Sequence, residues 1–168
     1  MEIERKYVIP SLPKGYDTWP VRLIEQGYLS TEPVVRIRRD NDEYILTYKS
    51  KGLMIREEYN LPLTAEAYAH LLKKADGRII RKHRYMIPLA EGYRMASDSP
   101  SDISLSETGL FIELDVFDGD LAPLILAEVE FPDPETAKIF RAPSWFGEDV
   151  TYDERYQNSR LSNPDVQI

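Results

Sequence analysis

Cysteine is absent from this chain of 168 residues, and histidine occurs only twice, as His70 and His83. Without thiols the chain can form no disulfide scaffold and no thiolate zinc site, and it has no cysteine nucleophile. Two histidines also leave little for an imidazole-based site, since His70 has no second histidine within helical reach. We therefore expect any metal ion to be held by oxygen ligands.

Long apolar runs are missing as well. No stretch approaches the ~20 apolar residues of a membrane-spanning helix, and charge begins at Glu2, where a signal peptide would need an apolar segment. We predict a cytoplasmic protein with no membrane partner. A net charge of -8 argues against a nucleic-acid surface, which needs a clustered basic face. The length suits one domain over residues 1–168.

Short segments with alternating side chains dominate the chain and predict antiparallel β-strands. The strands are expected at 1–7, 21–30, 34–40, 43–49, 53–61, 78–89, 110–117 and 123–131. One helical period covers 64–76, with Thr64 as a cap and Gly77 as the stop, and shorter helices are expected at 134–140 and around 153–161. The Ser- and Asp-rich stretch 91–109 predicts a long, mobile hairpin excursion.

The first strand carries charge on one of its faces. Alternation places Glu2, Glu4 and Lys6 together, and two carboxylates roughly 7 Å apart repel by about 2 kcal/mol at an effective dielectric near 20. A solvated outer face is one explanation. The other is a divalent cation held by Glu2 and Glu4 beside an anion held by Lys6. The remaining strands decide between them.

The remaining strands separate charges by sign. The aligned faces carry seven acids and seven bases: Glu2, Glu4, Glu58, Glu113, Asp115, Glu128 and Glu130, with Lys6, Arg36, Arg38, Lys49, Arg56, Lys82 and Arg84. A solvated sheet face remains an alternative, although a surface suited to solubility would intersperse the signs along each strand. The pattern favours the interior of a closed barrel with two charged walls, which a polyanion and a divalent cation would satisfy together.

The order of these motifs resembles the CYTH superfamily, also called triphosphate tunnel metalloenzymes. The resemblance begins with Glu2-Ile3-Glu4-Arg5-Lys6 and covers nearly the whole chain. It continues through Gln26-Gly27-Tyr28-Leu29, Arg36-x-Arg38, Lys49, Arg56-x-Glu58, Lys82-x-Arg84-Tyr85, Glu113-x-Asp115, Glu128-x-Glu130 and Trp145-Phe146-Gly147 to Tyr156-x-Asn158-Ser159. The compact length and the ending resemble short bacterial members, several of which are inorganic triphosphatases.

This resemblance implies a mainly β (α+β) fold, an eight-stranded antiparallel barrel with helices packed outside and a C-terminal helix near one mouth, around 152–161. It implies Mg²⁺ or Mn²⁺ as cofactor, with Glu2, Glu4 and Glu130 as principal metal ligands and Glu128 and Asp115 as candidates for a second metal or for positioning water. The triphosphate would be held by Lys6, Arg36, Arg38, Lys49, Arg56 and Arg84. Lys82 would have a direct catalytic role.

The implied reaction is metal-dependent hydrolysis of inorganic triphosphate to diphosphate and phosphate. One alternative is an organic triphosphate, thiamine triphosphate or a nucleotide, which would need an aromatic or hydrogen-bonding site at the tunnel mouth. Adenylyl cyclase activity is less expected, because only the initiator precedes Glu2 and the upstream His-Phe pair of the cyclase branch is absent. A non-catalytic polyphosphate-binding module would gain little from three pairs of carboxylates. A homodimer is compatible with each alternative.

Overall fold

The computed structural model describes residues 1–96 and 109–166. Within these ranges, nine antiparallel strands form one sheet in the order β5-β1-β9-β8-β7-β2-β3-β4-β6. The strands are β1 Glu2–Val8, β2 Val21–Thr31, β3 Val34–Asp40, β4 Glu43–Lys49, β5 Ile55–Arg56, β6 Glu58–Pro62, β7 Asp76–Pro88, β8 Phe111–Phe117 and β9 Ile125–Glu130. The sheet curls into a nearly closed barrel, which confirms the predicted architecture.

The barrel is closed by a single interrupted segment. β5 pairs with β1 at one edge of the sheet, whereas β6 pairs with β4 at the other edge. Only Glu57 separates the two strands, and it exchanges hydrogen bonds with Ser50 in the turn after β4. The segment predicted as one strand is therefore split in two, which gives nine strands in place of eight.

The helices lie outside the sheet. They are α1 Ala65–Leu72, α2 Leu89–Met95, α3 Pro134–Ile139 and α4 Asn158–Leu161, with 3₁₀ turns at Tyr16–Thr18, Gly119–Leu121 and Glu154–Tyr156. The predicted cap at Thr64 is confirmed, because its Oγ1 accepts from the Ala67 amide at 3.0 Å, and Asp133 caps α3 by accepting from the Thr136 amide at 2.7 Å. No helix in the described ranges is long and apolar enough to cross a bilayer.

The predicted end of the first helix was wrong. α1 stops at Leu72, and Asp76 and Gly77 already belong to β7. Gly77 has φ +66°, and a Cβ there would lie 2.2 Å from the Ser162 carbonyl oxygen. This glycine therefore serves a close approach of the C-terminal segment to the sheet, not the end of a helix.

The prediction of a hairpin excursion over 91–109 was wrong at its beginning. Residues 91–95 belong to α2, which packs on β8 because Gly92 has no side chain. A Cβ at Gly92 would lie 2.2 Å from Ile112 Cδ1. Residues 97–108 of the predicted excursion lie outside the described residues.

The main apolar core lies outside the bore of the barrel. Its aliphatic members alternate with the charged residues of their strands, as Ile3, Ile112, Leu114 and Val129 do. They pack against a group of aromatic side chains, which includes Phe131, Phe140 and Phe146. A second, smaller cluster fills one end of the bore. We call this cluster the apolar plug; it consists of Tyr28, Ile80, Phe117, Leu126 and Leu161.

Candidate active site

Strand register brings the predicted acids and bases together in the bore. Residues directly opposite one another on neighbouring strands have side chains on the same face. On β1, Glu4 lies opposite Glu130 and Lys6 opposite Glu128. On β7, Arg84 lies opposite Asp115. The two walls predicted from the sequence therefore face a common interior, in which most of the bases pair with carboxylates.

The most deeply buried ion pairs converge on Asp115. Lys82 Nζ lies 2.7 Å from Asp115 Oδ2, and both side chains have no exposed surface. Arg84 donates to both oxygens of Asp115, at 2.8 and 2.9 Å. Burial lowers the pKa of Lys82 to about 8, although Asp115 favours its charged form. Burial opposes ionisation of Asp115, but Arg84 and Lys82 outweigh it and lower the pKa of this carboxyl.

A second set of pairs lies along β1 and β9. Glu128 lies 3.5 Å from both Lys6 and Arg84, and these two bases hold its pKa well below the usual range against the effect of burial. Lys6 Nζ also donates to the carbonyl oxygen of Tyr156 at 3.1 Å. The C-terminal segment predicted near a tunnel mouth is thereby fixed to the bore.

A third set surrounds Glu2 at the opposite side of β1. Lys49 Nζ donates to both Glu2 carboxylate oxygens, at 2.9 and 3.1 Å, and Arg56 Nη2 lies 3.4 Å from Oε1 of the same residue. Glu58 and Glu4 complete the set, at 3.6 Å from Lys49 and 3.9 Å from Arg56. Glu2 is thus shared between two bases.

Two arginines of β3 have no such partner. Within the described ranges, no carboxylate lies within ion-pair distance of Arg36 or Arg38. Arg36 Nη2 donates to Thr47 Oγ1 at 3.4 Å and its buried Nε has no partner, while Arg38 Nε donates to Gln26 Oε1 at 2.8 Å. Burial, with Arg36 and Arg84 nearby, lowers the pKa of Arg38 to about 9. Enclosed cations without counter-charge favour binding of an anion.

Glu4 and Glu130 lie near other carboxylates of the bore. Burial, followed by repulsion from Glu128 and Glu2, raises the pKa of Glu4 to about 8. Partial burial and the neighbouring carboxylates of Glu2 and Glu113 also raise the pKa of Glu130. Glu130 is exposed, and with Glu113 it lines a cavity of about 480 Å³ at the rim of the bore.

These carboxylates fit a hard divalent cation by their chemistry. Glu2, Glu4 and Glu130 offer only oxygen donors, as Mg²⁺ and Mn²⁺ prefer. Burial raises the pKa values of Glu4 and Glu130, and repulsion from neighbouring carboxylates, which a cation would relieve, raises them further. Among residues 1–96 and 109–166, no three acidic or histidine side chains form a preformed metal cluster. Lys49 and Arg56 pair with Glu2 instead.

Sequence reasoning assigned no role to Gln26, although the structure places it in the bore. Gln26 is fully buried on β2, opposite Arg38 on β3 and Ile80 on β7. Arg22, Ile24 and Gln26 share one face of β2. This mixture of charged, apolar and amide side chains does not indicate which face of the strand lines the bore. The available signal was Arg38, which was predicted to face the bore, because the residue opposite it on the neighbouring strand has its side chain on the same face.

The family resemblance implies a barrel with acids and bases along its interior, and the structure has this arrangement. Comparison with known proteins supports the same family. A family model described as CYTH domain matches residues 1–150. The chain belongs to the CYTH domain family. It is 37% identical over 165 residues to an inorganic triphosphatase of Nitrosomonas europaea, covering 96% of each chain.

A second relative and a solved structure support the same family. An inorganic triphosphatase of Acetivibrio thermocellus is 34% identical over 174 residues, covering 97% of this chain and 94% of the relative. A crystal structure described as that of an inorganic triphosphatase superposes with a TM-score of 0.67 at 34% identity, covering 100% of this chain and 96% of the other. The predicted family and barrel fold are therefore confirmed.

Proposed function

We propose that this protein hydrolyses inorganic triphosphate to diphosphate and phosphate, with Mg²⁺ or Mn²⁺ as cofactor. The observation that carries the proposal is the pair Arg36 and Arg38, enclosed in the bore without a carboxylate partner among the described residues. Relatives named inorganic triphosphatase that align over almost the full chain support the same substrate. A cytoplasmic location, a homodimer and a single domain over 1–168 stay predictions.

The basic side chains bind the substrate in this proposal. Arg36 and Arg38 supply the first contacts, since they lose no ion pair when an anion arrives. Guanidinium groups suit phosphate because their donors form a planar fork. The other bases, Lys6, Lys49, Arg56 and Arg84, exchange a carboxylate for a phosphoryl oxygen.

Lys82 acts on the leaving oxygen. With a pKa lowered to about 8, its ammonium group holds a proton at neutral pH yet releases it more readily than an ordinary lysine. It donates this proton to the bridging oxygen as the P–O bond breaks, and diphosphate leaves. Asp115 orients the ammonium through the 2.7 Å contact. Water attacks the terminal phosphorus in line with the leaving oxygen.

The carboxylates would hold the cation. Glu2, Glu4 and Glu130 are its proposed ligands, and the group would supply water activation and charge neutralisation when bound. Glu128 is the better candidate of the two additional acids, because its Oε1 accepts no hydrogen bond. Asp115 uses both oxygens to accept from Lys82 and Arg84, which favours an orienting role for it.

The first experiment is a phosphate-release assay on the purified protein. Inorganic triphosphate, thiamine triphosphate, ATP and diphosphate are each tested with Mg²⁺, Mn²⁺ and EDTA. We expect release from inorganic triphosphate that depends on the cation and stops in EDTA. No release from inorganic triphosphate under any condition would refute the proposal, and intact triphosphate that stays bound through a long incubation would favour a binding module.

One observation favours an organic triphosphate as the second candidate. A cavity of about 830 Å³ is lined by two bore residues, Lys49 and Arg56, and by Tyr48. Ligand pockets of small organic molecules have similar volumes. A higher kcat/KM for thiamine triphosphate or ATP than for inorganic triphosphate would establish this alternative, and cyclic AMP formed from ATP would identify a cyclase.

Glu4→Gln should remove a pH dependence of stability. The pKa of Glu4 is about 8 in the folded protein against 4.5 for an unperturbed carboxyl, so the folded state binds more protons between these values and its stability falls as pH rises through this range. One pKa unit corresponds to about 1.4 kcal/mol, so the fall is on the order of a few kcal/mol. A neutral amide cannot lose a proton, and the variant should show a smaller fall.

Urea unfolding in EDTA at several pH values between 4.5 and about 8 measures this effect. Glu66→Gln, in the first turn of α1 outside the barrel, is the matched control and should retain the wild-type pH dependence. Adding Mg²⁺ at neutral pH should release protons from the wild type and fewer from Glu4→Gln. Equal proton release from both proteins would contradict the assignment of Glu4 as a ligand.

A further inference from the structure

Gln26 is the one fully buried amide side chain that faces the bore from β2. It lies beside the apolar plug, with Arg38 opposite it on β3 and Ile80 opposite it on β7. Its relative exposure is 0%. A polar side chain buried so completely is expected to have partners for both ends of its amide.

The contact with Arg38 determines the orientation of this amide. A guanidinium group has donors and no acceptor, so the group of Gln26 that faces it must be the carbonyl oxygen. Gln26 Oε1 accepts from Arg38 Nε at 2.8 Å, and the NH₂ group therefore points elsewhere. Nε2 is buried and has no hydrogen-bond partner among residues 1–96 and 109–166.

A second unpaired donor lies on the neighbouring strand. Arg36 Nε is also buried and has no partner in the described part of the chain. Arg36 lies opposite Tyr28, two residues along β2 from Gln26. Gln26 and Arg36 are therefore diagonal neighbours on one face of adjacent strands. Gln26 Nε2 and Arg36 Nε are therefore two neighbouring donors that have no acceptor among the described residues.

We propose that Gln26 is a substrate-binding residue that donates from Nε2 to a phosphoryl oxygen of the triphosphate. Through Oε1 it also holds Arg38 in position for the same anion. This inference rests on the proposed function, since triphosphate supplies the missing acceptors. As an uncharged donor, Gln26 recognises oxygen at the inner end of the bore without adding to its positive charge.

Two substitutions separate this role from a structural one. Gln26→Met keeps the length of the side chain and removes both polar ends. Gln26→Glu keeps the acceptor for Arg38 and replaces the donor with a carboxylate that repels phosphate. Loss of a hydrogen bond to a charged group weakens binding by about 10- to 100-fold, so we expect KM to rise by that factor in Gln26→Met and further in Gln26→Glu.

A purely structural role predicts the opposite order. Gln26→Glu would then form an ion pair with Arg38 and perform better than Gln26→Met. Thermal unfolding of both variants reports whether they fold, and either folded variant alone tests the loss of the donor. Tyr68→Phe is the control, because it removes a partly buried hydrogen bond to Glu25 on the outer face of the same strand and should leave KM unchanged.

Calorimetric binding of inorganic triphosphate in EDTA separates this inference from the proposed function. If the wild type binds triphosphate without hydrolysing it under any condition, the proposed reaction fails, and the binding affinities of the variants still test Gln26. Weaker binding in the order wild type, Gln26→Met, Gln26→Glu supports the role. Wild-type affinity in a folded variant, or tighter binding by Gln26→Glu than by Gln26→Met, overturns it.

Discussion

Lys82→Ala is expected to lower kcat for inorganic triphosphate by about 100-fold or more, the range over which a general acid contributes. The ammonium group is completely buried, 2.7 Å from Asp115 and 5.3 Å from the centre of the Phe117 ring. Because the protonated form is the active one and the pKa in the free protein is about 8, wild-type kcat/KM should fall as pH rises through that value.

Lys82→Arg sharpens the test of the proton-donor role. It keeps the positive charge but has a pKa too high for easy proton release, so we expect a low kcat with a KM close to that of the wild type. The matched control is Lys138→Ala, since Lys138 lies in the last turn of α3 on the outside of the barrel. Unchanged turnover in a folded Lys82→Ala protein would refute the catalytic assignment.

Asp115→Ala is expected to destabilise the protein by about 3–5 kcal/mol, as is typical when one member of a buried ion pair is removed. The substitution leaves Lys82 and Arg84 buried without their shared carboxylate. Lys82 can relieve part of the loss by giving up its proton. Its pKa in the variant would be lowered below the wild-type value of about 8, so the deficit in stability should shrink as pH rises to about 8 and stay constant above it, where the wild type loses the same proton.

Urea unfolding of Asp115→Ala and of the wild type, at several pH values below and above about 8, measures both effects. Inorganic triphosphate in EDTA should stabilise the variant more than the wild type, because the anion replaces the missing counter-charge. Asp153→Ala is the control, since Asp153 pairs with Arg155 at the surface and the substitution should change stability little. A stability loss that is equal for Asp115→Ala and Asp153→Ala would show that the central pairs contribute nothing.

Strand alternation made the charged walls predictable from sequence. Glu2 and Glu4, or Arg36 and Arg38, share a face because of a local property of extended backbone, and no knowledge of neighbouring strands is required. The partners of each charge were not predictable in this way. Contact between Lys82 and Asp115 depends on the register of β7 and β8, which long-range packing determines.

The depth of each charged residue in the bore could not be predicted from the sequence pattern either. Glu130 and Asp115 both occur in pairs of alternating acids, yet Asp115 is fully buried and Glu130 is exposed at the rim. The difference arises from the stagger of the strands around the barrel. The end of α1 was wrong for a related reason, because Gly77 serves a contact with Ser162, far away in the sequence.

The short strand β5 has a mechanical consequence for the barrel. Its two register pairs, Glu2 with Arg56 and Ile3 with Ile55, join the first strand to the closing segment, whereas the other neighbouring strands share longer ladders. Local unfolding begins where few interactions must break. The junction of β1 and β5 should therefore open first, and its amide hydrogens should exchange with solvent before those of the other strands. Glu2 and Arg56 are also predicted to bind cation and phosphate. Filling the bore would therefore change the rigidity of the wall at the place where it is weakest.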